Sequence, residues 1–141
     1  MITRSIQEQL NGNENRLRLF VTGGAGTGIT YTFNTMKNQV NRCYAKKSVM
    51  VAALTGVTER LVGGSTLHSM LKLPVQKDGY LTHNMPQLTG TPLKIMRQWW
   101  KDIEFIFIDE ISMVPFKMLC MIDSRLRQLK KKDDLPFGGI N

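Results

Sequence analysis

Two short apolar runs limit what this chain can fold into. "SVMVAAL" (48–54) and the "FIFI" within "EFIFIDE" (104–110) place apolar residues side by side, with no polar alternation. A strand with one wet face alternates, so these runs suit strands buried on both faces, the habit of parallel sheets covered by helices. Helical patterns precede, separate and follow them. Phe33, Met36, Val40 and Tyr44 recur at spacings of three and four. "PLKIMRQWWK" (92–101) puts Pro92 in a first turn, and Pro115 opens a helix whose stripe is Leu119, Ile122, Leu126 and Leu129. Strands alternating with helices predict an α/β fold with a mostly parallel sheet flanked by helices. "RLRLFVT" (16–22) reads as a further strand. Residues 1–16 read as a short helix and polar turn, 57–62 as helical before a turn at Gly63–Gly64, and 74–92 as mostly loop.

At 141 residues and 42% apolar content the chain suits one domain with one core. No uncharged apolar run approaches the ~18 residues of a membrane span, and "MITRSIQEQLNGNEN" lacks a signal-peptide stretch, so no membrane partner is expected. Cys43 and Cys120 have no metal spacing and read as reduced thiols of an intracellular protein, with the nucleus expected before the mitochondrion. The net charge of +8 suits a polyanion, nucleic acid first, although an ordinary basic protein accounts for it equally well.

The segment "GGAGTGIT" (23–30) lies between the first expected strand and the first expected helix. Gly23, Gly28 and Thr30 match the frame G-x-x-x-x-G-K-[ST] at every fixed position except the lysine, which is Ile29 here. Glycines let a backbone turn so that its N–H groups meet phosphate oxygens, and the following helix N-terminus adds partial positive charge. Thr30 would offer its hydroxyl to Mg2+. A tight strand-to-helix connection is the plainer account of the loop by itself. "FIFIDE" then ends a buried strand in Asp109 and Glu110. Ligands of parallel sheets bind beyond the carboxyl ends of the strands, so this pair would face Thr30 across one crevice. There Asp109 would hold the metal, and Glu110 would act as general base on a water.

"ALTGVTERLVGGSTLHSM" (53–70), "IFIDEISMV" (106–114) and "LPFGGIN" (135–141) follow the loop in that order. The set closely resembles the PIF-type (petite integration frequency) DNA helicases of superfamily one, including those of Helitron-like mobile elements. The resemblance implies a partial RecA-like P-loop NTPase domain over 17–141, after a lead-in at 1–16, with the second motor domain not included. It implies ATP and Mg2+ as cofactors. It implies 5′-to-3′ movement on single-stranded DNA or at duplex junctions, in DNA repair, recombination and telomere maintenance. Gly23, Gly24, Ala25, Gly26, Thr27, Gly28, Ile29 and Thr30 correspond to the nucleotide loop, and Asp109 and Glu110 to the acidic pair. Thr55, Gly56, Ser65, Thr66 and His68 correspond to segments beside the DNA strand, where hydroxyls and turn N–H groups can hold phosphate without reading sequence. Gln7 or Gln9 is the candidate for the adenine contact.

Several features stand outside that pattern. Ile29 offers no charge to the β- and γ-phosphates, and Lys37, eight residues on, points along the helix instead of into the loop. Turnover of ATP by the chain as written is therefore expected to be poor. Thr58 and Glu59 replace small residues, and Glu59 near DNA would repel phosphate. "RQLKKK" (127–132) suits a solvated helix end better than a phosphate contact. Trp99 and Trp100 could stack on bases, but at least one is expected in the core.

Overall fold

In the computed structural model the described residues are Arg4, Gln7, Glu8, Asn11, 16–44, 48–54, 64–74 and 85–141. The expectations for 57–63 and for most of 1–16 and 74–84 fall outside them. Three strands form a sheet in the order β2-β1-β3: β1 (Val49–Ala53), β2 (Ser65–Thr66) and β3 (Phe105–Ile108). Both pairings are parallel, with Ala52 opposite Ser65 on one side and opposite Ile108 on the other. The four α-helices described are α1 (Ile29–Cys43), α2 (Leu67–Leu71), α3 (Gly90–Trp100) and α4 (Phe116–Lys130).

The two apolar runs behave as their lack of alternation predicts, because both sheet faces are covered. Val49, Val51, Phe105 and Phe107 pack on one face with Val40 of α1. Phe33 and Tyr44 meet the Phe107 and Phe105 rings edge-on at centroid distances of 5.4 and 5.6 Å. Tyr44 does so from just beyond the helix end, as its C-cap. Met50, Ala52, Ile106 and Ile108 face the larger core, built with Leu67, Leu71, Trp100, Ile122 and Leu126. The result is a helix–sheet–helix sandwich, the α/β layering the sequence predicts.

Trp100 is fully buried while Trp99 is 64% exposed. Because α3 leads into the start of β3, both lie at the end of the sheet opposite its carboxyl edge. The charged tail of α4 is largely structural. Lys130 Nζ donates to the carbonyls of Trp100, Lys101 and Ile103 at 3.2, 3.1 and 2.9 Å, closing the C-terminus of α3. Burial pushes its ammonium below the usual lysine value, and Glu104, 3.9 Å away, offsets part of that. Arg127 pairs with Asp123 at 2.9 Å and also donates to the Asp133 carbonyl.

Residues 16–22 do not form the expected strand. Instead, Asn141 takes the ladder position beside the outer edge of β3. Its N–H donates to Glu104 O and its carbonyl accepts from Ile106 N, both at 2.9 Å. Leu17 N then bonds the Asn141 side chain at 2.8 Å, and Arg18 bonds Pro136 O at 2.9 Å and lies over the Phe137 ring. The segment is thus held to the C-terminal turn and stands off from β3. Without a ladder partner its apolar residues stay exposed, Phe20 by 67%. The turn itself needs Gly138: φ is +61°, and a Cβ there would come 2.5 Å from Leu126 O.

Replacing Lys130 with Met should leave the α3 carbonyls without their donor. We expect a loss of about 1.5–3 kcal/mol, seen as a lower urea midpoint at unchanged slope.

Candidate functional site

The acidic pair is fixed by the sheet. Asp109 N donates to Ala52 O at 2.9 Å, continuing the β1–β3 ladder one residue past the strand. Asp109 Oδ1 accepts from Glu110 N at 2.9 Å. Glu110 has φ 55° and ψ 42°, the left-handed region that a side chain with a Cβ enters at a cost. Its carbonyl accepts from Met113 N and begins the turn Ile111–Met113. A strained, exposed acid at the end of a buried strand is what a functional carboxylate looks like.

Residues 23–28 make a compact loop. Thr27 bonds Gly24 O through both its N–H (3.3 Å) and its hydroxyl (2.7 Å). Gly26 and Gly28 have φ of +78° and +81°, and Gly28 starts α1 without a side-chain cap. Gly23 lies under this turn: a Cβ there would meet Thr27 Oγ1 at 2.5 Å and Ile29 Cδ1 at 3.3 Å. Ile29 therefore folds back against the loop. Its side chain lines an elongated cavity of about 460 Å3 between residues 17–23 and β3. Gly23, Ile29, Asp109, Glu110 and Ser112 share this cavity with apolar residues such as Phe33 and Phe107. Gly24, Ala25, Gly26, Thr27, Gly28 and Thr30 are not in its lining, and all six are exposed. Lys37 is likewise absent from the lining.

Ser65 and Thr66 are β2 itself, beside Ala52 and Ala53 at the carboxyl end of the sheet. Gly64 precedes them because a Cβ there would run into the Val51 carbonyl, so only glycine lets β2 approach β1. Thr66 also caps α2, its Oγ1 accepting from Ser69 N at 3.2 Å. His68 is half-buried in the same helix. Ser65–Thr66 and Asp109 thus flank β1 at one edge, about 10 Å apart by two strand spacings. Thr55 and Gly56 lie outside the described residues, as does Gln9. Gln7 is exposed and takes no part in the cavity.

Sequence reasoning passed over Arg125, which is 1% exposed. A signal was available. Arg125 sits between Ile122 and Leu126 on the apolar stripe of α4, where a solvated arginine has no place.

The profile of the PIF1-like helicase family matches residues 1–141. The chain belongs to that family. It is 34% identical over 125 residues to the ATP-dependent DNA helicase RRM3 of Saccharomyces cerevisiae, covering 89% of this chain and 17% of that protein. Bacteroides Pif1 bound to single-stranded DNA superposes with a TM-score of 0.72 at 31% identity, over 100% of this chain and 30% of that one. Bacteroides Pif1 in complex with ADP-AlF3 and single-stranded DNA gives a TM-score of 0.66 at 30% identity, over 100% of this chain and 31% of that one. This PIF1-like chain therefore spans about a third or less of each relative.

The left-handed backbone at Glu110 can be tested directly. Glu110→Gly should be more stable than Glu110→Ala by about 1 kcal/mol in thermal unfolding, since only glycine adopts that conformation freely.

Proposed function

We propose that this chain is the nucleotide-binding lobe of an ATP-dependent DNA helicase and touches single-stranded DNA beside the ATP site. One observation carries the reading: the parallel sheet brings Asp109–Glu110 and Ser65–Thr66 to the same edge, next to the glycine loop. In this reading the N–H groups of residues 23–28 cradle the phosphates. A hydroxyl at Thr30 and a carboxylate at Asp109 are hard oxygen donors and fit Mg2+ in chemistry, with phosphates and water to complete its shell. Thr30 stands outside the cavity that Asp109 lines, so the two do not form a ready-made pair. Bound magnesium would neutralise charge on the β- and γ-phosphates. Glu110, presented outward by its left-handed backbone, would accept a proton from the attacking water. Thr66 and the N-terminal turn of α2 would meet DNA phosphate without distinguishing bases. The proposed wider role is 5′-to-3′ translocation in DNA repair, recombination and telomere maintenance, and its support is the motif resemblance.

Ile29 favours a second reading, a DNA-binding remnant with little turnover. An isoleucine turned back against Gly23 offers a phosphate no hydrogen bond and no charge. The two readings separate in one titration. Ile29→Lys is expected to bind a fluorescent ATP analogue about 10–100-fold more tightly than the natural chain, the worth of one charge-assisted hydrogen bond. Equal, weak binding by both proteins sinks the nucleotide role. If a labelled single-stranded oligonucleotide still binds, and less so at high salt, the remnant reading stands.

A further inference from the structure

We propose that Arg125 is a positioning residue that holds the DNA-facing segment Ser65–Leu71 in place against the unit bearing Asp109 and Glu110. The proposal rests on the DNA-contacting reading given above. Arg125 belongs to α4, which follows the acidic pair after one short turn. Its guanidinium reaches backwards to a different part of the chain. Nε donates to Leu71 O at 3.1 Å, and Nη2 to Pro86 O at 3.0 Å and Lys72 O at 3.4 Å. Nη1 donates to Gln128 Oε1 at 2.7 Å. Gln128 carries the tie onward: its Nε2 donates to Leu88 O at 2.8 Å, and its Oε1 also accepts from Leu88 N.

None of these acceptors is a carboxylate. A buried cation held by neutral groups costs more than an apolar side chain of similar volume, so stability alone gives no reason for an arginine here. What the planar fork does supply is geometry, because it grips carbonyls on two separate segments at once. One of these is the end of α2, five residues long and too short to hold its own shape. Its N-terminal end is fixed by the β2–β1 pairing and the Thr66 cap. Its C-terminal end turns out at Lys72, φ 51°, and the carbonyls of Leu71 and Lys72 find their donor in Arg125. Ser65, Thr66 and His68 are therefore aimed by a side chain that moves with α4 and the acidic pair.

The test uses the whole 141-residue chain and a fluorescently labelled single-stranded oligonucleotide, read by anisotropy. Arg125→Met should weaken binding roughly tenfold, the size of one or two lost hydrogen-bond contributions, and Arg125→Lys by less. Leu129→Ala, a cavity variant of the same helix, controls for lost stability and should bind as the natural chain does. Hydrogen exchange supplies the second readout: in Arg125→Lys the amides of 65–72 should exchange faster while β1 and β3 keep their protection. The exchange comparison decides alone when Arg125→Met does not fold. Natural-strength binding by Arg125→Met overturns the proposal, and so does equal weakening in Leu129→Ala or uniform loss of protection. A natural chain that binds no single-stranded DNA overturns the DNA reading itself, and this proposal with it.

Discussion

The parallel ladder through Ala52 is the constraint on which the rest depends. Ala52 is buried, pairs with Ser65 and Ile108, and gives its carbonyl to Asp109 N. Parallel pairing puts every strand's carboxyl end at the same edge, so hydroxyls near residue 65 and acids near residue 109 become neighbours. The close approach needs a glycine at 64. A side chain at 64 would part β2 from β1 and pull Ser65–Thr66 away from the acids.

The second organising element is α4. Its apolar side fills the main core, and its polar residues reach across to other segments. Arg125 and Gln128 tie the end of α2 and residues 86–88, Lys130 closes α3, and Asp123 accepts the Phe137 N–H at 2.5 Å. Four polar side chains on one helix thus anchor four pieces of chain. Each works because a buried carbonyl or N–H without a partner costs more than the bond itself returns.

The other margin of the sheet is different. The turn at 135–141 brings Asn141 to β3, and Arg18 and Leu17 attach to that turn. Between residues 17–23 and β3 lies an apolar cavity, with Ile29 and the acids in its wall. The loop that would receive phosphate is therefore next to hydrocarbon on its inner side. A lysine at 29 would put charge where isoleucine now packs, which is why this one position divides the two functional readings.

Much of this was legible in the residues. Uninterrupted apolar runs gave β1 and β3, and the spacing of apolar residues with the prolines gave α1, α3 and α4, because local periodicity reflects which faces are buried. The acid pair and the glycine loop were readable for the same reason: both are contiguous, and their chemistry depends on neighbours in sequence. Other features depend on partners far along the chain. Residues 16–22 look like a strand but lack a ladder, since Asn141 occupies the adjoining position on β3. β2 has two residues and no pattern to detect. Lys130 reads as an ordinary charge on a helix end, and Arg125 betrays itself only by its place on the apolar stripe of α4; the packing alone shows which carbonyls they meet. The sequence by itself determined the α/β class and the chemical groups at the site. Which of those groups share one edge, and what holds them there, was decided by tertiary pairing, since hydrogen bonds between segments dozens of residues apart leave no local period.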